Sequence, residues 1–264
     1  MPEFDSPPVI ETVLGVEFKP LERWGIPHFG LFWERVRKDF PQYAVHAALP
    51  SQIESFNQTS AQPVANIELV EAPEIRCWFF HTDEERLIQV QRDRFVHNWR
   101  KKGDHAYPKY KAIRPRFESN WEVFCGFLMS QGLGVPDVVQ CEVTYINHIE
   151  IDRGWKSMAD LASILPAWSD ERSNGFLPTP ETVQLAASFL MPEDRGRLRI
   201  MLGPAIRTVD LRQVLQLTVT ARGSPESSMT EAILDWLDLG HEWVVRGFAD
   251  FTSKKMHSLW KRRR

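Results

Sequence analysis

The sequence has little cysteine, no long apolar run and little net charge, and each absence excludes a class of protein. Its 264 residues include three cysteines without CxxC spacing, which indicates free thiols rather than a disulfide framework or a zinc site. No apolar run is long enough to predict a membrane-spanning helix. A formal net charge of -3 predicts no general attraction to nucleic acid or to a membrane.

The first eight residues, MPEFDSPP, also lack the basic-then-apolar order of a signal peptide. Together with the three thiols, this start predicts a protein of the reducing cytoplasm that does not contact a membrane.

Catalytic motifs are absent as well: the chain contains no HExxH, HxH, GxSxG, Walker loop or GxGxxG. The acidic run at residues 83–85 lies in a short polar connection, so we interpret it as a solubilising hairpin tip. Cys125 lies in an apolar helical stretch, which disfavours a nucleophilic role. We therefore predict no catalytic residue, no metal site and no cofactor.

Aromatic residues, in contrast, are abundant. Ten Trp and 16 Phe in a chain that is 43% hydrophobic predict a large aromatic-rich core. Apolar residues at helical spacing predict helices at 28–40, at 110–133 and from 227 onward, while residues 50–64 are polar and predict an exposed loop. Alternation with a period of two predicts strands at 9–18, 74–81, 87–99, 138–151, 182–190, 197–202 and 213–222.

These elements follow one order twice: strand, helix, strands, long helix. The pattern predicts an α+β fold of two similar halves, residues 1–136 and 137–264, each an antiparallel sheet backed by helices on one face. The halves are expected to share one core, with sheets that either stay separate or join into one continuous curved sheet. We further predict an internal duplication in which Trp121 and Trp243 occupy equivalent helix–sheet contacts.

Residues 92–116 form a basic segment that contains nine Lys or Arg and two Asp, a local charge of +7, interleaved with aromatic rings. Cations beside stacking rings suit a phosphate backbone, unstacked bases or an acidic protein surface. The alternative is a solvated loop whose charges offset the acidic remainder of the chain. The candidate ligand- or partner-binding residues are Arg92, Arg94, Asn98, Trp99, Arg100, Lys101, Lys102, Tyr107 and Tyr110.

Several stretches carry a resemblance to a known family: PPVIETVL at 7–14, QVQRDRFVHNWR at 89–100, YPKY at 107–110, EVTYIN at 142–147 and the closing residues 251–260. Over nearly its whole length the chain resembles a sporadically distributed, functionally uncharacterised family of bacterial cytoplasmic proteins. The resemblance implies no reaction, cofactor or catalytic residue, and it implies an accessory, mobile or defence-linked gene.

Three functions follow as hypotheses. The first is a non-enzymatic binding or adaptor protein that recognises a partner protein. The second is binding of nucleic acid, a nucleotide or another polyanion through the basic segment 92–116. The third is an enzyme whose polar residues assemble only in the fold, at the junction of the two halves.

Overall fold

The computed structural model describes residues 1–54, 74–151, 153–168 and 176–263. Within these ranges one nine-stranded antiparallel sheet is combined with five α-helices, so the fold is α+β and mostly sheet. The strands are β1 (Val9–Phe18), β2 (Gln42–Ala47), β3 (Ile75–Phe80), β4 (Arg86–Gln91), β5 (Arg94–Arg100), β6 (Val138–Glu150), β7 (Leu185–Leu190), β8 (Arg197–Arg207) and β9 (Arg212–Gly223). The helices are α1 (Ile26–Val36), α2 (Tyr110–Ser130), α3 (Leu161–Ile164), α4 (Thr230–Phe251) and α5 (Lys254–Leu259).

The strand order is β2-β3-β4-β5-β1-β6-β9-β8-β7. The first strands of the two predicted halves, β1 and β6, therefore pair with each other in the interior of the sheet, with Leu14 opposite Val143. On either side, the last strand of a half lies next to its first strand: β5 pairs with β1, and β9 pairs with β6. One continuous sheet thus joins residues 1–136 to residues 137–264.

The two faces of this sheet differ because successive side chains of a strand point to opposite sides. On β1, Leu14, Val16 and Phe18 are buried beneath the helices, while Glu11 and Glu17 lie on the other side. We call these sides the helix face and the polar face. On the helix face α1, α2 and α4 cover the strands, and residues of both halves belong to one hydrophobic core.

Helix α2 follows its apolar stripe as predicted. The Phe124 ring lies 5.9 Å from Phe18, 5.5 Å from Phe32 and 5.0 Å from Phe95, so it joins α2 to β1, α1 and β5. Helix α4 approaches the sheet closely because Gly240 faces it: an added Cβ would lie 3.0 Å from Val143 Cγ2.

Two strand predictions need correction. The predicted strand 87–99 is a hairpin of β4 and β5, because Arg92 and Asp93 form a turn and Gln91 Nε2 donates to Asp93 Oδ1 at 2.7 Å. Strand β2 was not predicted, since this edge strand is largely exposed and carries no strong alternation.

Residues 50–53 of the predicted loop 50–64 are exposed and lie outside helices and strands, as predicted, while residues 55–64 lie outside the described residues. Glu54 is buried rather than exposed, and it accepts hydrogen bonds from Arg197 and Arg199. The helix predicted from residue 227 onward begins at Thr230, and Ser228 Oγ accepts a hydrogen bond from Val138 N at 2.9 Å.

The three cysteines are free thiols, as predicted. Burial raises the pKa of Cys77 to about 11, and burial together with Glu122 raises that of Cys125 to about 12. Burial likewise raises the pKa of Cys141, so all three thiols stay protonated near neutral pH. In the described ranges, every helix is too short or too polar to cross a lipid bilayer.

Candidate functional site

The structure distributes the nine predicted site residues over both faces of the sheet. Along β5, Arg94, Asn98 and Arg100 point to the polar face, because they alternate with buried residues. Arg94 Nη2 lies 2.7 Å from Glu17 Oε2, Arg100 Nε lies 3.0 Å from Glu11 Oε1, and Asn98 Nδ2 donates to the same Glu11 oxygen at 2.6 Å. These three residues therefore belong to a paired polar network.

Arg92, Lys101 and Lys102 lie on the surface around the ends of β5. Arg92 Nη1 pairs with Glu74 at 3.0 Å, and Lys102 Nζ pairs with Glu84 at 3.1 Å. Lys101 is exposed, and its backbone N–H donates to Ile10 O at 2.7 Å. The three side chains do not converge on one pocket.

Trp99 is fully buried on the helix face, so it packs in the core instead of opening on solvent. Its Nε1 donates to Glu85 Oε2 at 3.2 Å, and its ring centroid lies 5.3 Å from that of Tyr107. Trp99 thus supports Tyr107 from behind.

Tyr107 and Tyr110 are the two predicted residues that share a pocket. A cleft of about 670 Å³ lies between the start of α2 and helix α4, above the β1–β6 pair that joins the halves. We name it the junction cleft. Its lining is Met1, Pro2, Glu3, Phe4, Pro7, Val9, Tyr107, Lys109, Tyr110, Lys111, Tyr145, Asn147, Asp238, His241, Glu242, Val244, Val245 and Phe248.

The N-terminal arm forms one wall of the junction cleft, and the end of the chain fixes this arm. The Phe4 ring packs 5.5 Å from Phe248 in an edge-to-face arrangement. Asp5 pairs with Arg263 at 2.6 Å, and Asp5 N donates to Lys261 O at 3.2 Å. The wall is thereby held by contacts with α4 and with the residues after α5.

A chain of hydrogen bonds crosses the cleft. Tyr107 Oη lies 2.7 Å from Tyr145 Oη, which lies 3.0 Å from His241 Nδ1. The Tyr110 ring stacks on His241 with centroids 3.9 Å apart, and Tyr110 Oη donates to Asp238 Oδ1 at 2.7 Å. The start of α2, strand β6 and helix α4 are thus connected through one polar cluster.

Burial keeps the phenols and the imidazole of this cluster uncharged near neutral pH. It raises the pKa of Tyr107 to about 12, raises that of Tyr145 well above its ordinary value, and lowers that of His241 to about 4. Burial and the hydrogen bond to Asp238 also raise the pKa of Tyr110. Near neutral pH the phenols are therefore protonated and the imidazole is neutral, so the cluster offers hydrogen bonds to a ligand.

Asn147 adds a buried acceptor to the lining. Its side-chain nitrogen Nδ2 donates to Leu217 O at 3.0 Å, which fixes the orientation of the amide, and the residue is 1% exposed. Its Oδ1 is buried and has no hydrogen-bond partner among the residues that the structure describes. A buried carbonyl oxygen without a donor is costly, so this atom suits an N–H or O–H group of a ligand.

The backbone before α2 places both predicted tyrosines in the cleft. Lys109, the residue before the helix, has φ +66°, a left-handed conformation that is unusual for a residue with a side chain. Tyr107 and Tyr110 lie on either side of this bend and both line the cleft. Strain of this kind collects at binding sites, where the surrounding structure supports it.

Sequence reasoning did not single out Tyr145, Asn147 or His241. The alternation of β6 could have identified two of them, because Tyr145 and Asn147 lie on the same face of the strand as the buried residues Cys141 and Val143. His241 similarly lies on the buried side of α4. A polar residue at a position that alternation assigns to the core marks a buried hydrogen-bonded site.

Within the described ranges, no group of three or more His, Cys, Asp or Glu side chains is placed to hold a metal ion. Comparisons of the chain with protein-family models, with curated proteins and with solved structures found no match. Function is therefore inferred from the geometry and chemistry of the junction cleft.

Proposed function

We propose that the protein is a non-enzymatic binding protein whose ligand is a small amphipathic molecule held in the junction cleft. The observation that carries the proposal is the buried Asn147 Oδ1, which lacks a donor among the described residues, in a cleft of about 670 Å³. Clefts of about 300–1,000 Å³ with an apolar lining and a few convergent polar groups are typical of small-molecule sites.

The lining defines the chemistry of the ligand. Phe4, Val244 and Phe248 offer an apolar wall, which favours an apolar or aromatic body. Asn147 Oδ1 requires an N–H or O–H donor on that body. The lining also carries Lys109 and Lys111 together with Glu3 and Glu242, and its further carboxylate, Asp238, is paired with Arg114 at 3.1 Å, so neither sign of ligand charge is favoured. We infer a largely neutral ligand with one hydrogen-bond donor.

The pKa values of the cluster support binding over general acid–base catalysis. A catalytic acid or base works best when its pKa lies near the operating pH. The pKa of Tyr107 is about 12 and that of His241 is about 4, so burial moves both groups away from neutrality. The cluster is suited to orient a ligand by hydrogen bonds.

Binding of N-phenyl-1-naphthylamine tests the proposal, because this neutral fluorophore has an apolar aromatic body and one N–H donor. Its emission should rise in the presence of the protein. Val245→Trp fills the cleft and should weaken binding about tenfold or more. The matched control Val209→Trp, at a position that is 91% exposed and outside the cleft, should bind normally. Equal binding by both variants would remove the cleft as the site.

The role of Asn147 is tested with the N-methylated form of the same probe, which has no N–H donor. The protein should bind the N–H probe about tenfold more tightly, since an unpaired buried acceptor costs about 1–3 kcal/mol. Asn147→Leu should bind both probes equally. Circular dichroism checks that this variant is folded. A preference that survives in Asn147→Leu would show that another group accepts the hydrogen bond.

Recognition of a partner protein is a second candidate function, favoured by the β7 edge of the sheet. Phe189 and Leu190 on β7 and Met201 on the adjacent β8 are 45%, 53% and 60% exposed. Edge strands with exposed apolar side chains pair readily with another chain. Phe189→Lys should abolish capture of such a partner, while Leu211→Lys, at an exposed position beyond β8, should leave it unchanged.

Binding of a nucleic acid or another polyanion through residues 92–116 receives less support. Five of the nine cations in this segment form ion pairs with carboxylates, which reduces the charge offered to a phosphate backbone. The paired cations are Arg92, Arg94, Arg100, Lys102 and Arg114.

We also propose that residues 1–136 and 137–264 arose by internal duplication. The support is that the first and last strands of each half are neighbours, and that β1 and β6 pair antiparallel between the halves. We propose in addition that the protein belongs to the sporadically distributed bacterial family and that it is located in the cytoplasm. The three free thiols are consistent with that location.

A further inference from the structure

Strands β2 and β3 bring three nitrogen-bearing side chains together on the polar face, across the sheet from the junction cleft. His46 lies directly opposite Arg76 in the β2–β3 register, and Trp78 is two residues further along β3. All three residues are half-buried. Because residues two apart on a strand share a face, Arg76 and Trp78 point to the same side.

The side chains of Arg76, Arg100 and His46 are packed around the Trp78 ring. The guanidinium carbons of Arg100 and Arg76 lie 4.5 Å and 5.3 Å from the ring centroid, and the His46 ring centroid lies 4.1 Å from it. With these groups over the indole, little of the Trp78 ring is left for a flat ligand to stack on. A ligand of this cluster must therefore be compact.

The arginines on this part of the polar face differ in how their charges are neutralised. Arg94 pairs with Glu17 and Arg100 pairs with Glu11. Arg76 makes no ion pair with any residue that the structure describes; its Nη1 donates at 2.9 Å to the neutral amide oxygen of Gln89. Burial, with the charges of Arg94 and Arg100, lowers the pKa of Arg76. The cluster thus holds one positive charge without a counter-charge in the described residues.

Three nitrogen atoms of the cluster are also buried without hydrogen-bond partners in the described ranges: Arg76 Nε, Trp78 Nε1 and His46 Nε2. The first two are always donors, and the imidazole nitrogen is a donor in one tautomer or when protonated. A tetrahedral oxyanion accepts several hydrogen bonds at once and favours guanidinium donors.

We propose that Arg76, Trp78 and His46 form a second binding site, whose ligand is a compact oxyanion of the phosphate type. The anion neutralises the charge of Arg76 and accepts from the three buried nitrogen atoms. This site is independent of the junction cleft, because it lies on the opposite face of the sheet. The shared chemistry is the phosphate group, whether as the free ion or as a phosphate monoester.

Thermal unfolding with inorganic phosphate tests the site, at an ionic strength kept constant with chloride. At about a hundredfold excess of phosphate over its Kd, Tm should rise by about 5 °C. Arg76→Gln should abolish this shift. The matched control Arg212→Gln changes an arginine that is 75% exposed on the same sheet, and it should keep the full shift.

The proposal also predicts how Arg76→Gln changes Tm when no phosphate is present. Arg76→Gln removes a half-buried charge that no described carboxylate neutralises, so its Tm without phosphate should lie above that of the unmodified protein by about 2–4 °C. Trp78→Phe should keep the fold and weaken phosphate binding, because it removes one donor.

Parallel titrations with AMP and with inorganic phosphate distinguish a phosphate monoester from the free phosphate ion as the ligand. A larger shift with AMP at equal concentration assigns the site to a phosphate monoester, and an equal or smaller shift assigns it to the free ion. The proposal is overturned if phosphate and AMP both leave Tm unchanged, or if Arg76→Gln responds to them as the unmodified protein does.

Discussion

A buried histidine makes the stability of this protein sensitive to acid. His241 is 9% exposed, and burial lowers its pKa to about 4. In the unfolded chain its pKa is about 6.5, so the unfolded state binds more protons between these values. The stability contributed by His241 is complete above about pH 6.5 and is lost as the pH falls toward 4, on the order of 3 kcal/mol in all. Urea unfolding at several pH values in this window measures the loss.

The comparison that isolates this effect is between His241→Gln and the unmodified protein. His241→Gln should show a shallower dependence of unfolding free energy on pH than the unmodified protein. Identical slopes for His241→Gln and the unmodified protein would show that the imidazole titrates alike in both states.

A second prediction at the residue scale concerns the contribution of the buried Glu54 carboxylate to stability. Its carboxylate accepts from Arg197 and from Arg199, the latter at 2.8 Å and 2.9 Å, and its side chain is 2% exposed. Burial raises the pKa of Glu54, but its two arginines outweigh burial and the net shift is downward. Glu54→Gln should lower the free energy of unfolding by about 1.5–3 kcal/mol, as measured in urea.

Its matched control is Glu226→Gln, which changes an exposed carboxylate 3.6 Å from Arg195. Exposed pairs contribute about 0–1 kcal/mol, so this variant should unfold nearly as the unmodified protein does. Equal losses in both variants would mean that burial of the Glu54 pair adds nothing to stability.

The residues of the junction cleft show how much of the candidate site could be predicted from the sequence. Tyr107 and Tyr110 were among the nine candidates because they are aromatic residues in a basic segment. Tyr145 and His241 complete the hydrogen-bonded chain from strand β6 and helix α4, far away in sequence. Their approach to Tyr107 depends on the β1–β6 pairing, which no local pattern encodes.

At the scale of elements, helix α4 shows that an apolar stripe predicts the presence of a helix better than it predicts which side chains of that helix are fully buried. We expected Trp243 to occupy a helix–sheet contact, and it packs against the core but is only partly buried. Trp236 is fully buried instead, and its Nε1 donates to Arg195 O at 2.9 Å. Helical spacing places both residues near the apolar stripe, whereas the depth of each depends on the strands beneath.

Alanine substitutions in α4 test this assignment. Trp236→Ala should lower the free energy of unfolding by about 3–5 kcal/mol, because it empties a fully buried site. Trp243→Ala should cost less than Trp236→Ala, about 1–2 kcal/mol, since part of its ring stays in contact with water. Chemical denaturation of the two variants side by side gives the difference. A larger loss in Trp243→Ala would reverse the assignment of the two faces.

The strands show the same division between local and tertiary information. Alternation predicted β1, β6 and β9 to within a residue at each end, since one face of each is buried and the other is polar. The strand predicted at 197–202 is the start of β8, which continues to Arg207. It merged β4 and β5, because almost every residue of both strands is buried and the alternation is lost. The turn at Arg92 and Asp93 carries no glycine or proline that would mark it.

At the scale of the whole molecule, the two halves are joined by the interior pair of strands. Strand β1 pairs with β5 on one side and with β6 on the other, over most of its length. If residues 137–264 were removed, the backbone groups of β1 that pair with β6 would become an unpaired edge. The apolar residues of the shared core would be exposed at the same time.

We therefore expect that residues 1–136 and residues 137–264, each expressed alone, aggregate or unfold without a cooperative transition, and that co-expression restores a folded complex. The restored complex should also bind N-phenyl-1-naphthylamine, because Tyr107 and Tyr110 reach the junction cleft from one half while Tyr145 and His241 reach it from the other. Calorimetry and fluorescence of the co-expressed pair, beside the intact chain, measure both properties. An isolated half that unfolds cooperatively would show that β1 or β6 does not need its partner.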